Sequence, residues 1–180
     1  MIKLKSLLKE ITESDLKLLL HKIKSEQFRF IAQGDNGRVY EIDGEDKVFK
    51  ITKEQDEYSV AEVIVGRWTE FTTFIPVYYV DGKHMYIMAK ASELPLLVSR
   101  QFNQFIAKFK DFTTSEGGEA TIFNYLDNDG ARDVDIKIVN FLRALQRDIH
   151  RTGINDLDLD LDFKTDNIMV WDGKLVMIDW

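Results

Sequence analysis

Between Phe28 and Thr52 the chain reads FRFIAQGDNGRVYEIDGEDKVFKIT. Alternating aromatic and β-branched residues are interrupted twice at short spacing, by Asp35-Asn36-Gly37 and by Asp43-Gly44. Loops this short join antiparallel neighbours only, because a parallel return needs a crossover of a dozen or more residues. The pattern therefore predicts three antiparallel strands over 28–34, 37–43 and 46–52. Everything else in the chain has to pack against that meander.

The flanking segments have the helical period. Leu4, Leu7, Leu8 and Ile11 form one stripe, and Leu16, Leu19, Leu20 and Ile23 form a second. Thr12 and Asp15 between them have capping-box spacing, which predicts two helices in 2–27 rather than one. Residues 54–69 read as a helix, and PVYYVDGKHMYIMAK as a hairpin about Asp81-Gly82. After Pro95 the helical period runs to about Phe112, and a polar loop covers 113–130. DVDIKIVNFLRALQRDIHRTG is a strongly amphipathic helix stopping at Gly153, and NIMVWDG with KLVMIDW makes a last hairpin.

Composition narrows the function classes. With 44% apolar residues the chain can fill a core, so disorder is not expected. There is no cysteine, hence no disulfide or thiolate metal site, and cytoplasm is the plain expectation. No apolar run is long enough to span a bilayer, so a membrane partner is not expected. The net charge is −7 with the basic residues scattered, which argues against nucleic acid as the main partner. A compact phosphate ligand stays open, since a few placed donors and a metal suffice to hold one.

Four features carry chemistry. Gly34-Asp35-Asn36-Gly37, followed by Val39, is either a plain hairpin turn or a bare flap that lets a phosphate approach the backbone. Lys50 shares a strand face with Val48, so it either snorkels to water or turns inward and needs a carboxylate. On the following helix Glu57 shares a face with Val60, Ala61, Ile64 and Trp68, whereas Glu62 lies about 140° away at 100° per residue, so Glu57 is the expected partner. Finally, Asp156, Asp158, Asp160, Asp162 and Asp166 fall within eleven positions, alternating at first with Leu157, Leu159 and Leu161. An EF-hand started at Asp158 would have Phe163 and Met169 where it needs Gly and Glu, so a calcium loop is excluded. A solvated acidic edge and an Asp-x-Asp metal clamp remain as alternatives.

In order, Gly34-x-x-Gly37-x-Val39, Val48-x-Lys50, Glu57, Asp162-x-x-x-x-Asn167 and Asp179 closing an apolar strand resemble the protein-kinase-like superfamily. DFKTDNIMV is similar to its catalytic-loop segment and VMIDW to its metal-binding strand. The resemblance covers about 28–180 and implies an α+β, two-lobed fold. Residues 1–27 would be a helical extension, 28–90 an N-lobe with an antiparallel sheet, and 91–180 a reduced helical C-lobe. It implies ATP and Mg²⁺ as cofactors. Gly34, Gly37, Val39, Lys50, Glu57 and Met88 would bind the nucleotide, Met88 lying in the hinge strand 85–90. Asn167 and Asp179 would hold the metal, and Asp162 and Lys164 would be catalytic, acting on a serine or threonine of a protein substrate or target.

The departures from the family pattern are specific. Asp160 and Leu161 replace the His and Arg that precede the catalytic Asp, so activation through that Arg is not expected. Ala32 replaces the first loop glycine. Asp179-Trp180 is as similar to aminoglycoside- or choline-type kinases as to protein kinases. No Ala-Pro-Glu segment or substrate-binding subdomain is visible, so a small-molecule kinase and a catalytically inactive binding or inhibitor module are the competing expectations.

Overall fold

The computed structural model describes residues 11–115, 121–127, 134–152 and 164–179. Its order is α1 (Glu13–Lys24), β1 (Phe28–Gln33), β2 (Gly37–Ile42), β3 (Lys47–Thr52), α2 (Gln55–Ile64), β4 (Val77–Val80), β5 (Met85–Ala89), α3 (Leu96–Ser115), α4 (Ile122–Tyr125), α5 (Ile136–Thr152), β6 (Ile168–Trp171) and β7 (Lys174–Met177). The class is α+β: five strands form an antiparallel sheet in the order β1-β2-β3-β5-β4, and the helices that follow make a small helical half. The meander expected from 28–52 is present as β1 to β3, with a bulge at Ile31 where the register shifts between Phe30 and Ala32.

Strand alternation divides the sheet between two cores. On one face Phe49, Ile87 and Ile42 bury Leu19 of α1. Thr12 caps α1, its hydroxyl accepting from Asp15 N (3.1 Å) while Asp15 Oδ2 accepts from Thr12 N (3.2 Å). On the other face Val48, Tyr86 and Met88 join α2 and the helical half in the main core. The helix expected over 54–69 is shorter: α2 ends at Ile64, Gly66 takes φ 72°, and only a 3₁₀ turn at Trp68–Glu70 follows. A left-handed glycine leaves the α-helical path, which periodicity alone does not reveal. α3 runs past Phe112 to Ser115, and α4 occupies part of the expected 113–130 loop.

The small hairpin β6–β7 ties the two halves together. Asp172 (φ 48°) and Gly173 (φ 72°) form its two-residue turn, the mirror-image geometry that matches strand twist. On one edge Ser92 and Val170 exchange both backbone hydrogen bonds at 2.8 Å. On the other, Met177 N donates to Thr73 O (2.6 Å) and Ile75 N to Met177 O (3.0 Å). This clamps β7 beside the segment entering β4 and carries the next residues, Ile178 and Asp179, towards β3.

Candidate functional site

Lys50 is the centre of the site. Its position on β3 sends it to the face of Val48, and it is only 6% exposed. A buried ammonium needs paired charge. Lys50 Nζ lies 2.7 Å from Glu57 Oε1 and 2.8 Å from Asp179 Oδ1. The pairing joins three segments, Lys50 and Asp179 being 129 positions apart in the sequence. Glu57 is 1% exposed on the inner face of α2, whereas Glu62 is exposed on the outer one.

Two further donors hold Glu57. Tyr86 on β5 donates its hydroxyl to Oε1, and Thr52 donates to Oε2 at 2.7 Å. Complete burial, and then the adjacent Glu57 charge, push the Tyr86 phenol well above its ordinary range, so it stays a donor. Both carboxylate oxygens of Glu57 are thereby engaged, which fixes the lysine with little rotamer freedom. The side chain of Asp179, 36% exposed, is the most open member of the cluster.

The glycine-containing loop arches over the end of β3. Gly34 N donates to Gly37 O (3.0 Å), and Asn36 O accepts from Lys53 N (2.8 Å) and Thr52 Oγ1 (3.3 Å). Gly34 and Gly37 are not among the positive-φ glycines, so this is not the left-handed turn of a tight hairpin. Gly37 is required by packing, since a Cβ there would sit 2.5 Å from Ile51 O. Around Gly34 no atom lies within 4 Å of a Cβ position. Val39, half-buried, pairs with Lys50 across β2–β3. Met88 is 5% exposed and sits in the core, paired with Val48 and Val77.

Asn167 ends a 3₁₀ turn at Thr165–Asn167, and Ile178 N donates to its carbonyl (2.9 Å), so Asn167 and Asp179 emerge beside each other at one end of β6–β7. An amide and a carboxylate are oxygen donors of the kind Mg²⁺ takes, the rest of its octahedron coming from water and phosphate. Among the described residues no three His, Asp or Glu gather into a fuller metal cage. Lys164 is exposed just before the 3₁₀ turn, and Thr165 Oγ1 lies 3.3 Å from Asn103 Oδ1 on α3. Asp162, with Asp156, Asp158, Asp160 and the interleaved leucines, lies outside the described residues.

One residue that sequence reading missed supports the whole arrangement. Asp148 of α5 is 3% exposed, and its Oδ2 accepts from Thr72 N (2.8 Å), Thr72 Oγ1 (3.2 Å), Thr73 N (3.0 Å) and Thr73 Oγ1 (2.8 Å). Thr73 in turn holds Met177, two residues before Asp179. A signal was present: Asp148 follows Phe141 by seven and Leu145 by three, which puts a carboxylate on the apolar face of an amphipathic helix.

No protein-family model and no curated protein matches the sequence. Among solved structures, the chain is similar to that of the streptomycin–ATP–APH(2″)-IIa ternary complex, at 16% identity and a TM-score of 0.35, covering 93% of this chain and 71% of the other. No helix among the described residues is long and apolar enough to cross a membrane.

Proposed function

We propose that the chain is an ATP- and Mg²⁺-dependent phosphotransferase with a serine or threonine hydroxyl of a protein as acceptor. The observation that carries this reading is the buried Lys50–Glu57–Asp179 cluster, closed between β3, α2 and the end of β6–β7. Glu57, held by Tyr86 and Thr52, fixes the Lys50 ammonium beside Asp179. Lys50 would bind the α- and β-phosphate oxygens once Asp179 shares its charge with a metal ion. The backbone of the Gly34–Gly37 loop would lie over the phosphates, and Val39 would pack on the base. Asn167 and Asp179 would hold Mg²⁺, which when bound offsets phosphate charge that otherwise repels a nucleophile. Asp162 would accept or orient the proton of the attacking hydroxyl, a role worth typically about 10²–10⁴ in rate. Lys164, two residues on, would face the transferring phosphate, and it is the reason for preferring a protein acceptor.

The test uses purified protein with labelled ATP and Mg²⁺. The expected result is transfer to protein hydroxyls, lost in Asp162→Ala while nucleotide still binds, and nucleotide binding itself lost in Lys50→Met. Transfer to an aminoglycoside or choline but to no protein would move the acceptor to a small molecule. A melting temperature insensitive to ATP, with and without Mg²⁺, would refute the reading altogether, because ligand at about 100 times its Kd should stabilise the fold by about 2.7 kcal/mol.

A further inference from the structure

Away from the Lys50 cluster, and sharing no residue with it, a cavity of about 460 Å³ opens between the start of α3, one face of α5 and the β6–β7 turn. Its size falls within the range of about 300–1,000 Å³ usual for small-molecule sites. Val98, Phe141, Val170 and Leu175 make its walls apolar. The charged side chains lining it are Lys137 and Lys174, one from each side, both exposed and neither in an ion pair among the described residues. On a chain of net charge −7, two lysines at the mouth of an apolar cavity, unpaired among the described residues, are a local reversal of sign.

We propose that this cavity binds an amphipathic anion: an apolar body seated against Phe141 and Val170, with a carboxylate or phosphate held between Lys137 and Lys174. Both parts are needed. An apolar ligand alone would leave the lysine pair without a counter-charge, and a bare anion would gain little from two solvated ammonium groups. The occupant would also rest against Thr72 and Thr73, which line the same cavity. The proposal does not depend on phosphoryl transfer.

The experiment titrates the full chain with decanoate, using decanol and decylamine as neutral and cationic controls of the same length, and follows calorimetry and melting temperature. Decanoate is expected to bind at one site and raise the melting temperature, with the two controls at least tenfold weaker. The surface double variant Lys137→Glu/Lys174→Glu should fold normally and bind decanoate at least tenfold more weakly. Ala144→Phe, which narrows the cavity from α5, should abolish binding. Equal affinity for decanol, or unchanged decanoate binding in the double-glutamate variant, would overturn the proposal. Undiminished binding in Ala144→Phe would also overturn it by putting the ligand elsewhere.

Discussion

Replacing Asp148 is the sharpest test of how the site is supported. In the wild type, four donors from Thr72 and Thr73 converge on a single oxygen, Oδ2. That oxygen has about two good lone-pair directions, so the four share roughly two full charge-assisted bonds, each worth about 1.5–3 kcal/mol. Asp148→Ala leaves the Thr73 N–H and hydroxyl, in a residue 2% exposed, without a partner, whereas the more exposed Thr72 can turn to water. The cost is then about 2–4 kcal/mol, a large part of the roughly 5–15 kcal/mol that holds a domain together. Asp148→Asn keeps an oxygen in place and loses only the charge, so about 1–2 kcal/mol is expected. At about 2–4 °C per kcal/mol for a chain of this size, alanine should lower the melting temperature by roughly 5–15 °C and asparagine by about half of that. Urea unfolding gives the free energies, and amide exchange at Met177 and Ile75, whose hydrogen bonds join β7 to this segment, should quicken selectively. The reasoning fails if alanine stays within about 0.5 kcal/mol of wild type, or if asparagine costs as much as alanine.

Other outcomes follow from single positions. Gly37→Ala drives a Cβ against Ile51 O and should lower stability measurably, whereas Gly34→Ala meets no atom within 4 Å and should leave the melting temperature unchanged while altering ligand binding alone. Lys50→Met leaves Glu57 charged and buried and should cost about 3–5 kcal/mol in urea unfolding; adding Glu57→Gln should recover part of that loss, a double-mutant cycle that two independent sites would not give. Alkaline titration should show Tyr86 ionising only on unfolding. Tyr78, pushed up to about 12 by burial and then by Asp46, should do so late. Since the unfolded chain releases these protons near pH 10 and the folded one retains them, the stability they contribute is fully present below pH 10 and is lost as pH rises towards 12. Absorbance at 295 nm against pH, read beside unfolding free energy, checks the sign.

Local pattern carried most of the fold and the placement of Lys50 and Glu57, for a physical reason. A strand's period of two and a helix's of 3.6 fix which face a side chain takes before any partner is known. Val48 and Lys50 had to share a face, and Glu57 had to turn inward with Ala61 and Ile64. What was not legible depended on contacts between distant segments. Asp148 reads as an ordinary polar residue until Thr72 and Thr73, 76 and 75 residues earlier, come to meet it. The sequence left the glycine-containing loop open between a hairpin turn and a bare flap; its glycines lack positive φ, and Asn36 O is held by Lys53 and Thr52 at the end of β3. The Lys50–Asp179 contact belongs to the same class, since it exists only because β7 is clamped at Thr73 and Ile75 while β6 is clamped at Ser92. Asp148 holds Thr73, Thr73 holds Met177, and Met177 sets the approach of Asp179 to Lys50. A cluster built along that chain should therefore loosen at Asp179 before it loosens at Glu57, which has its own ties to Thr52 and Tyr86 within the sheet.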